Sequence, residues 1–573
     1  MLKILVSVGL AGVLFGVLVP RILEQQKFVQ PAKLRATGIT QTAPDAAVNS
    51  SSSVSFGDAG VKAEGLENVK PANLESVVRN APTLEKPATA IKLPQVTPVN
   101  QLRALWVDAF GPGFKTPREV DKLIADARAL HLNALFVQVG RRMDCYCNKA
   151  SVPRSADPKL MPGFDPLEDI IQKAHKVGIQ VHAWMITTAA FNSTEPALAV
   201  NHVMNLHGLK TTGRDFWLTT RANGNAAAGK DYVLDVGHPD VADYIVNMYS
   251  SVVENYDVDG IMFDRVRYPD NGVPPYEPIW GYNPTALEAF KSFSGRTDTP
   301  KSTDADWSQW RRDQITNLVK RVYLSVKAIR PSLWVSAATI TYKEAPTSLE
   351  DFSKTRTYSE VLQDWATWMQ TGILDLNIPM NYKREAVKGQ SAWFDGWNRF
   401  AVQTKGFGSV AVGTGIFINS LEESLNQLKR AFGVPGVLGW VGYSYRTPDQ
   451  ATFDGRKNGA KAFEELTAKL TSKSAAFASN SAWGTAPLEN LAGLIGRVTK
   501  NGLGVANQTV VLEDANGKQT QVITDSGGYY GLPNISNLGL EVGVIKLQTN
   551  GIEDQLEISA QKISVAPDLV LPL

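Results

Sequence analysis

Cysteine is almost missing from this chain: 573 residues hold two, Cys145 and Cys147, in the tripeptide Cys-Tyr-Cys. Two sulfurs alone cannot complete a zinc site. One intervening residue makes a bridge between them awkward, so they are expected as two small apolar side chains in a loop, their redox state left open. Nor does either charge dominate. Fifty-eight basic side chains face 56 acidic ones, and without a basic run a nucleic-acid surface is excluded. His, Asp and Glu never take metal-ligand spacing, no Gly-x-Ser-x-Gly elbow is present, and no Gly-x-Gly-x-x-Gly turn follows the first apolar run. No metal and no cofactor are expected.

What is present is length enough for several domains and a large stock of flat apolar rings: 13 Trp, 16 Tyr and 21 Phe. The chain opens with Ile-Leu-Val-Ser-Val-Gly-Leu-Ala-Gly-Val-Leu-Phe-Gly-Val-Leu-Val-Pro after Lys3. That run is close to the ~17–25 residues needed to span a bilayer, and Val-Leu-Val-Pro-Arg is a poor cleavage site. Residues 1–27 are therefore expected as a signal-anchor, with the rest of the chain extracytoplasmic in the cell envelope, or secreted if the segment is cut. Residues 28–100, rich in Ser, Ala, Pro and Thr without periodicity, cannot bury enough apolar surface to offset their ordering entropy and are expected as a disordered linker.

From 101 to 472 the sequence keeps a regular beat. Apolar runs of strand length recur at 102–110, 133–140, 179–186, 258–264, 333–340, 373–382, 409–417 and 436–445, separated by stretches of helical spacing. Thr116 before Pro117 suits a helix start, and Gly178 suits a helix end. Eight strands of continuous rather than alternating hydrophobicity, each followed by a helix, predict an α/β fold, a (β/α)8 TIM barrel. Its chemistry would then gather at the carboxyl ends of the strands. Carboxylates, amides and aromatic plates converge there. Glycoside hydrolysis is the commonest chemistry driven by carboxylates alone.

The stretch Asp-Gly-Ile-Met-Phe-Asp-Arg-Val-Arg-Tyr-Pro at 259–269 follows Gly-Ile-Gln-Val-His-Ala-Trp at 178–184, with Arg-Ala-Leu-Trp-Val-Asp-Ala-Phe at 103–110 and Ile-Pro-Met-Asn-Tyr at 378–382. Together these resemble the glycosyl-hydrolase-like GHL10 family of bacterial envelope proteins. The resemblance implies a hydrolase of envelope polysaccharide, peptidoglycan strands being the substrate most often connected with such proteins. Some relatives carry a second Asp directly after the strand-four Asp; here that position is Arg265.

Asp264 is expected as nucleophile or as the carboxylate facing the anomeric carbon, with Arg267 keeping it ionised. Glu344, after the fifth strand, is the first choice for general acid by position, followed by Asp144 and Glu385. Asp108, His182 and Trp184 are expected to form a sugar floor, and Trp440 and Tyr443 to stack on a pyranose face. Arg141, Tyr268, Asn381 and Tyr382 complete the expected substrate contacts, Tyr268 reading with Pro269 as loop-shaping rather than catalytic. Asp235 reads as structural, and the insertion at 187–231 as a rim over the cleft. A non-catalytic glycan-binding or scaffold protein built on the same barrel is the alternative.

After a linker over 473–488, residues 489–573 alternate apolar and polar with Asn-Gly and Gly-Gly turns, which predicts a small β-sandwich. It resembles carboxypeptidase-regulatory-like, transthyretin-like modules and carries no catalytic group. The expected partners are a polysaccharide, and a membrane through the N-terminal helix. The sequence identifies no protein partner.

Overall fold

A computed structural model describes residues 101–194 and 198–572. The expected signal-anchor and the expected disordered linker lie outside these residues. No helix among the described residues is long and apolar enough to cross a membrane.

Eight parallel strands close into a barrel in sequential order: β1 (Leu102–Val107), β2 (Ala134–Gly140), β3 (Gln180–Ile186), β4 (Gly260–Asp264), β5 (Trp334–Ile340), β6 (Leu376–Met380), β7 (Ser409–Gly415) and β8 (Val437–Tyr443). Each coincides with one of the apolar runs. The continuous hydrophobicity has a simple cause, since both faces of every strand are covered. Leu102, Ala104, Trp106, Phe136, Trp184 and Met262 fill the interior, while Leu105, Val107, Leu135, Val137 and Phe263 meet the surrounding helices. The inner rows lie level across the sheet: Trp106 pairs with Phe136, Phe136 with His182, and His182 with Gly260. Gly260 has no alternative there, because a Cβ would stand 2.2 Å from His182 Nδ1.

The outer ring is α1 (Pro117–Ala129), α2 (Pro166–His175), α3 (Pro239–Asn255), α4 (Ala305–Ile329), α5 (Trp365–Gln370), α6 (Gln390–Gln403), α7 (Leu421–Phe432) and α8 (Gly459–Thr471). Their starts follow capping chemistry. Thr116 accepts from Glu119 N, Asp165 from Glu168 N, and Ser420 and Glu423 form a capping box. Gly178 takes φ of 74°, in the left-handed region that favours glycine.

The segment expected as a linker over 473–488 is a floor plug. It crosses the amino-terminal end of the barrel, where Trp483 stacks on Trp334 with ring centroids 4.9 Å apart. Gln180 Nε2 donates to Trp483 O at 3.0 Å and Trp334 Nε1 to Gly484 O at 2.8 Å. Composition hides this, because Trp483 and Ala486 are its only large contributions to the interior cluster. With the floor shut, only the other end can admit a ligand.

Beyond it two sheets face each other. In one, β9 (Gly493–Lys500) pairs with β10 (Leu503–Gly504), β13 (Tyr529–Leu532), β16 (Ile563–Val565) and β17 (Leu569–Val570). In the other the order is β12 (Gln519–Ile523), β11 (Thr509–Glu513), β14 (Gly543–Thr549), β15 (Ile552–Ile558). Leu494, Val498, Val510, Leu512, Ile545 and Leu547 make the core between them. The sandwich leans on α4, whose Arg321 covers the Tyr529 ring at 3.8 Å and faces Asp525 at 3.6 Å.

Candidate active site

The quoted strand ends on Asp264, which β4 carries to the mouth of the barrel. One strand over, Trp184 sits two residues below the level of Asp264 on the same inner face, and its Nε1 donates to Asp264 Oδ2 at 3.1 Å. The other oxygen accepts from Arg265 N at 2.6 Å. Arg265 reaches that position in the left-handed region, φ 53°, an unusual setting for a bulky residue and one that functional sites often hold. Asp264 is thus gripped on both oxygens and keeps 8 % exposure.

Around it lies a ring of aromatics. Tyr443 stands edge-on to Trp184 at 6.3 Å and tilted to Tyr382 at 5.7 Å. Burial pushes both phenols well above their usual pKa, and the charge on Asp264 adds to this. They stay protonated and suit donation to a sugar. Tyr443 also feels Asp108, so carboxylates from β4 and from the end of β1 address one phenol. Asp108 accepts from Ser444 Oγ at 2.8 Å and faces Arg446 Nε at 3.3 Å. Buried Gln138 of β2 ties down the end of β1 by accepting from Ala109 N at 2.9 Å.

The insertion makes the rim. Short strands Ala189–Asn192 and Asp231–Val233 pair antiparallel over the ends of β3 and β4. Between this rim and the loop after β4 opens a cleft of about 310 Å³, within the usual ~300–1,000 Å³ of ligand pockets. Arg221, Asp231, Arg265, Arg267, Tyr268 and Asp270 line it. Arg265 Nη1 meets Asp231 Oδ2 at 3.3 Å, and Asn192 Nδ2 donates to Asp231 Oδ1 at 2.6 Å. Arg267 is buried, which pulls its pKa down, against the charges of Tyr342, Asp264 and Asp270. Asp270 accepts only from a neutral phenol, Tyr342 OH, at 3.3 Å.

Residues 101–427 match the family described as Glycosyl hydrolase-like 10, GHL10. The chain belongs to this family. It is similar to Glycosyl hydrolase YngK of Bacillus subtilis (strain 168), 26% identical over 305 residues, 49% of this chain and 54% of that one. It is also similar to Glycosyl hydrolase DigH of Escherichia coli (strain K12), 28% identical over 228 residues, 39% of this chain and 47% of that one. The chain spans about half the length of these curated relatives. Among solved structures, the PgaB (BpsB) glycoside hydrolase domain from Bordetella bronchiseptica has a TM-score of 0.45 and 15% identity, covering 64% of this chain and 99% of that one.

Within the GHL10 barrel the expected site residues divide into three groups. Asp264, Trp184, Tyr382 and Tyr443 meet at the mouth, with Asp108 beside Tyr443 and Arg267 between Asp264 and the cleft. Glu344 and Asp144 do not meet Asp264. Glu344 is exposed and lines a separate hollow with Tyr276 and Arg356. Asp144 spends its carboxylate on Arg141 N and Arg142 N, closing its own turn, while Arg141 lies over the Phe110 ring at 4.9 Å. Glu385 is tied to Arg430 at 2.5 Å.

The third group is corrected from substrate contact to framework. His182 is fully buried in the lower interior, 4.5 Å from the Phe136 ring, and burial holds its pKa down to about 4. Trp440 points outward, donates to Thr414 Oγ1 at 2.7 Å and packs on Phe477. Asn381 faces the helix layer and donates to Phe394 O and Asn398 Oδ1, both at 2.8 Å. Tyr268 lines the cleft but gives its hydroxyl to Asp235 at 2.9 Å, which fits the loop role expected for both. Strand parity decides for Trp440 and Asn381, depth along the inner face shared with Trp184 decides for His182, and the loop path for Tyr268; none of these can be read from composition.

Cys145 and Cys147 are also corrected. They form a disulfide with Cα atoms 5.0 Å apart, within the range a bridge tolerates. The loop folds back on itself through bridges of Cys145 to Gly140 and to Arg154, which brings the neighbours together. Sequence reasoning missed Asp270, Arg221 and Asp231. Asp270 closes the Arg-Tyr-Pro-Asp run; the other two sit in the insertion, where nothing periodic marks them.

Proposed function

We propose that this chain is a glycoside hydrolase of bacterial envelope polysaccharide, with peptidoglycan glycan strands as its substrate. The carrying observation is the grip on Asp264: a carboxyl group held by Trp184 Nε1 and Arg265 N at the open end of a barrel whose floor is plugged. Membership of GHL10 supports the reaction class, and the aromatic mouth suits pyranose faces.

In this reading Asp264 faces the anomeric carbon and stabilises the positive charge that grows there as the glycosidic bond breaks. Asp270 replaces Glu344 as proton donor. Among the described residues it makes no ion pair and accepts from Tyr342 OH, whereas Asp231 meets Arg265. The proton goes to the leaving oxygen, water adds its hydroxyl to the sugar carbon, and the proton that the water sheds restores Asp270. Tyr382 and Tyr443 donate to ring hydroxyls. The apolar run 4–20 and the composition of 28–100 favour an enzyme tethered outside the cytoplasm.

A non-catalytic glycan binder remains the second reading, favoured by the low exposure of Asp264 and by its contacts among the described residues, which are Trp184 Nε1 and Arg265 N rather than a carboxyl group. The test of substrate is release of reducing ends from peptide-stripped peptidoglycan strands, run beside chitin and an α-glucan. Release from the strands is expected. Cleavage of the α-glucan alone would overturn the substrate assignment.

A further inference from the structure

The rim of the cleft holds a cation that the reaction outlined above does not use. Arg221 lies in the insertion, its backbone bridged to Trp280 and turned back by a hydrogen bond from Arg221 N to Asn225 O at 3.0 Å. Its guanidinium lies over the Trp280 ring at 4.8 Å, and Trp280 is itself buried at 1 % exposure. Its Nε is buried without a hydrogen-bond partner. Among the described residues no carboxylate pairs with it, whereas Arg265 in the same wall is matched to Asp231. A planar guanidinium fixed on an aromatic face in the lining of a cleft is pre-organised for a planar anion.

Among the described residues the charged groups that line the cleft are Arg221, Arg265 and Arg267 with Asp231 and Asp270, so the lining suits an anion. A carboxylate offers the planar group that a guanidinium fork pairs through two parallel hydrogen bonds.

We propose that Arg221 is a specificity residue that reads a carboxylate on the sugar bound beside Asp264, so that the preferred glycan is acidic. This rests on the glycoside hydrolase reading for its ligand class but not for its test. A sugar carboxylate has two sources, a lactyl ether on an amino sugar or a uronic acid, and both present the same planar group to the guanidinium.

The test is equilibrium binding by the full chain, which needs no turnover. The probes are peptide-stripped peptidoglycan strands with free lactyl carboxylates, the same strands methyl-esterified, chitin oligomers as the neutral backbone, and hyaluronan as the uronate source. The free acid is expected to bind roughly tenfold tighter than its ester, the scale of one charge-assisted hydrogen bond. Arg221→Gln should bind acid and ester alike, and Arg221→Lys, which keeps the charge, should retain part of the preference. Preference for hyaluronan over the strands would assign the uronate source, and the reverse the lactyl source. Equal binding of acid and ester by the wild type, an undiminished preference in a folded Arg221→Gln, or no binding of any probe would each overturn the proposal. Acid-selective binding without any bond cleavage would leave Arg221 in its role and remove the hydrolase reading instead.

Discussion

Trp184 Nε1 donates to Asp264 Oδ2 at 3.1 Å from the neighbouring strand, and this bond joins the fold to the chemistry. The indole is nearly buried, 4 % exposed, so its geometry is set by the barrel interior rather than by solvent. Trp184→Phe keeps the ring and deletes the donor. A hydrogen bond to a charged group is worth about 1.5–3 kcal/mol, so kcat should fall roughly 10- to 100-fold with KM little changed. An unchanged kcat would mean that Asp264 does not need this grip.

Asp270→Asn separates the proton donor from the rest of the site. Hydrolysis of glycan strands should drop by ~10²–10⁴, while an aryl glycoside whose phenolate departs unprotonated should lose far less. Equal losses on both substrates would exclude Asp270 as the acid.

Adjacent residues Asn381 and Tyr382 point to opposite sides of the barrel wall and should part company in assay. Asn381→Ala strands the Phe394 carbonyl and Asn398 in the helix layer, costing about 1–3 kcal/mol of stability. Tyr382→Phe removes a hydroxyl at the mouth and should leave the Tm nearly unchanged while lowering kcat/KM on the order of tenfold. Thermal melts and steady-state kinetics on both variants distinguish the two sides.

His182 makes stability depend on acid. Burial holds its pKa down to about 4 from the usual 6.5. Between those values the unfolded chain takes up a proton that the native chain refuses, so its contribution is whole above 6.5 and is lost as pH falls toward 4. His182→Phe should narrow the Tm difference between about pH 7.5 and about pH 4.5. Parallel Tm profiles for the two proteins would exclude this source.

The bridge at Cys145–Cys147 is checked by thiol titration. Denatured, unreduced protein should react with no thiol reagent, and reduction should release both cysteines. Free thiols before reduction would contradict the pairing.

The barrel was legible in the sequence because its signal is a sum over many residues: eight apolar runs, spaced by helices with recognisable caps. The mouth was legible in part. Asp264 announces itself, since a charge that ends an apolar strand has few structural excuses. Its partners did not, because inward or outward aim depends on strand parity and loop path. Trp440 and Tyr443 share one strand and face opposite layers. Asn381 and Tyr382 divide the same way. The floor plug at 473–488 reads as a linker because small residues dominate it and two isolated rings, Phe477 and Trp483, supply its contacts.

Asp264→Asn removes the charge and keeps the shape, so it tests the central claim most directly. On peptide-stripped glycan strands, wild-type protein should release reducing ends, and the folded variant should release none above background while still binding the strands. Equal release by both proteins would contradict the account.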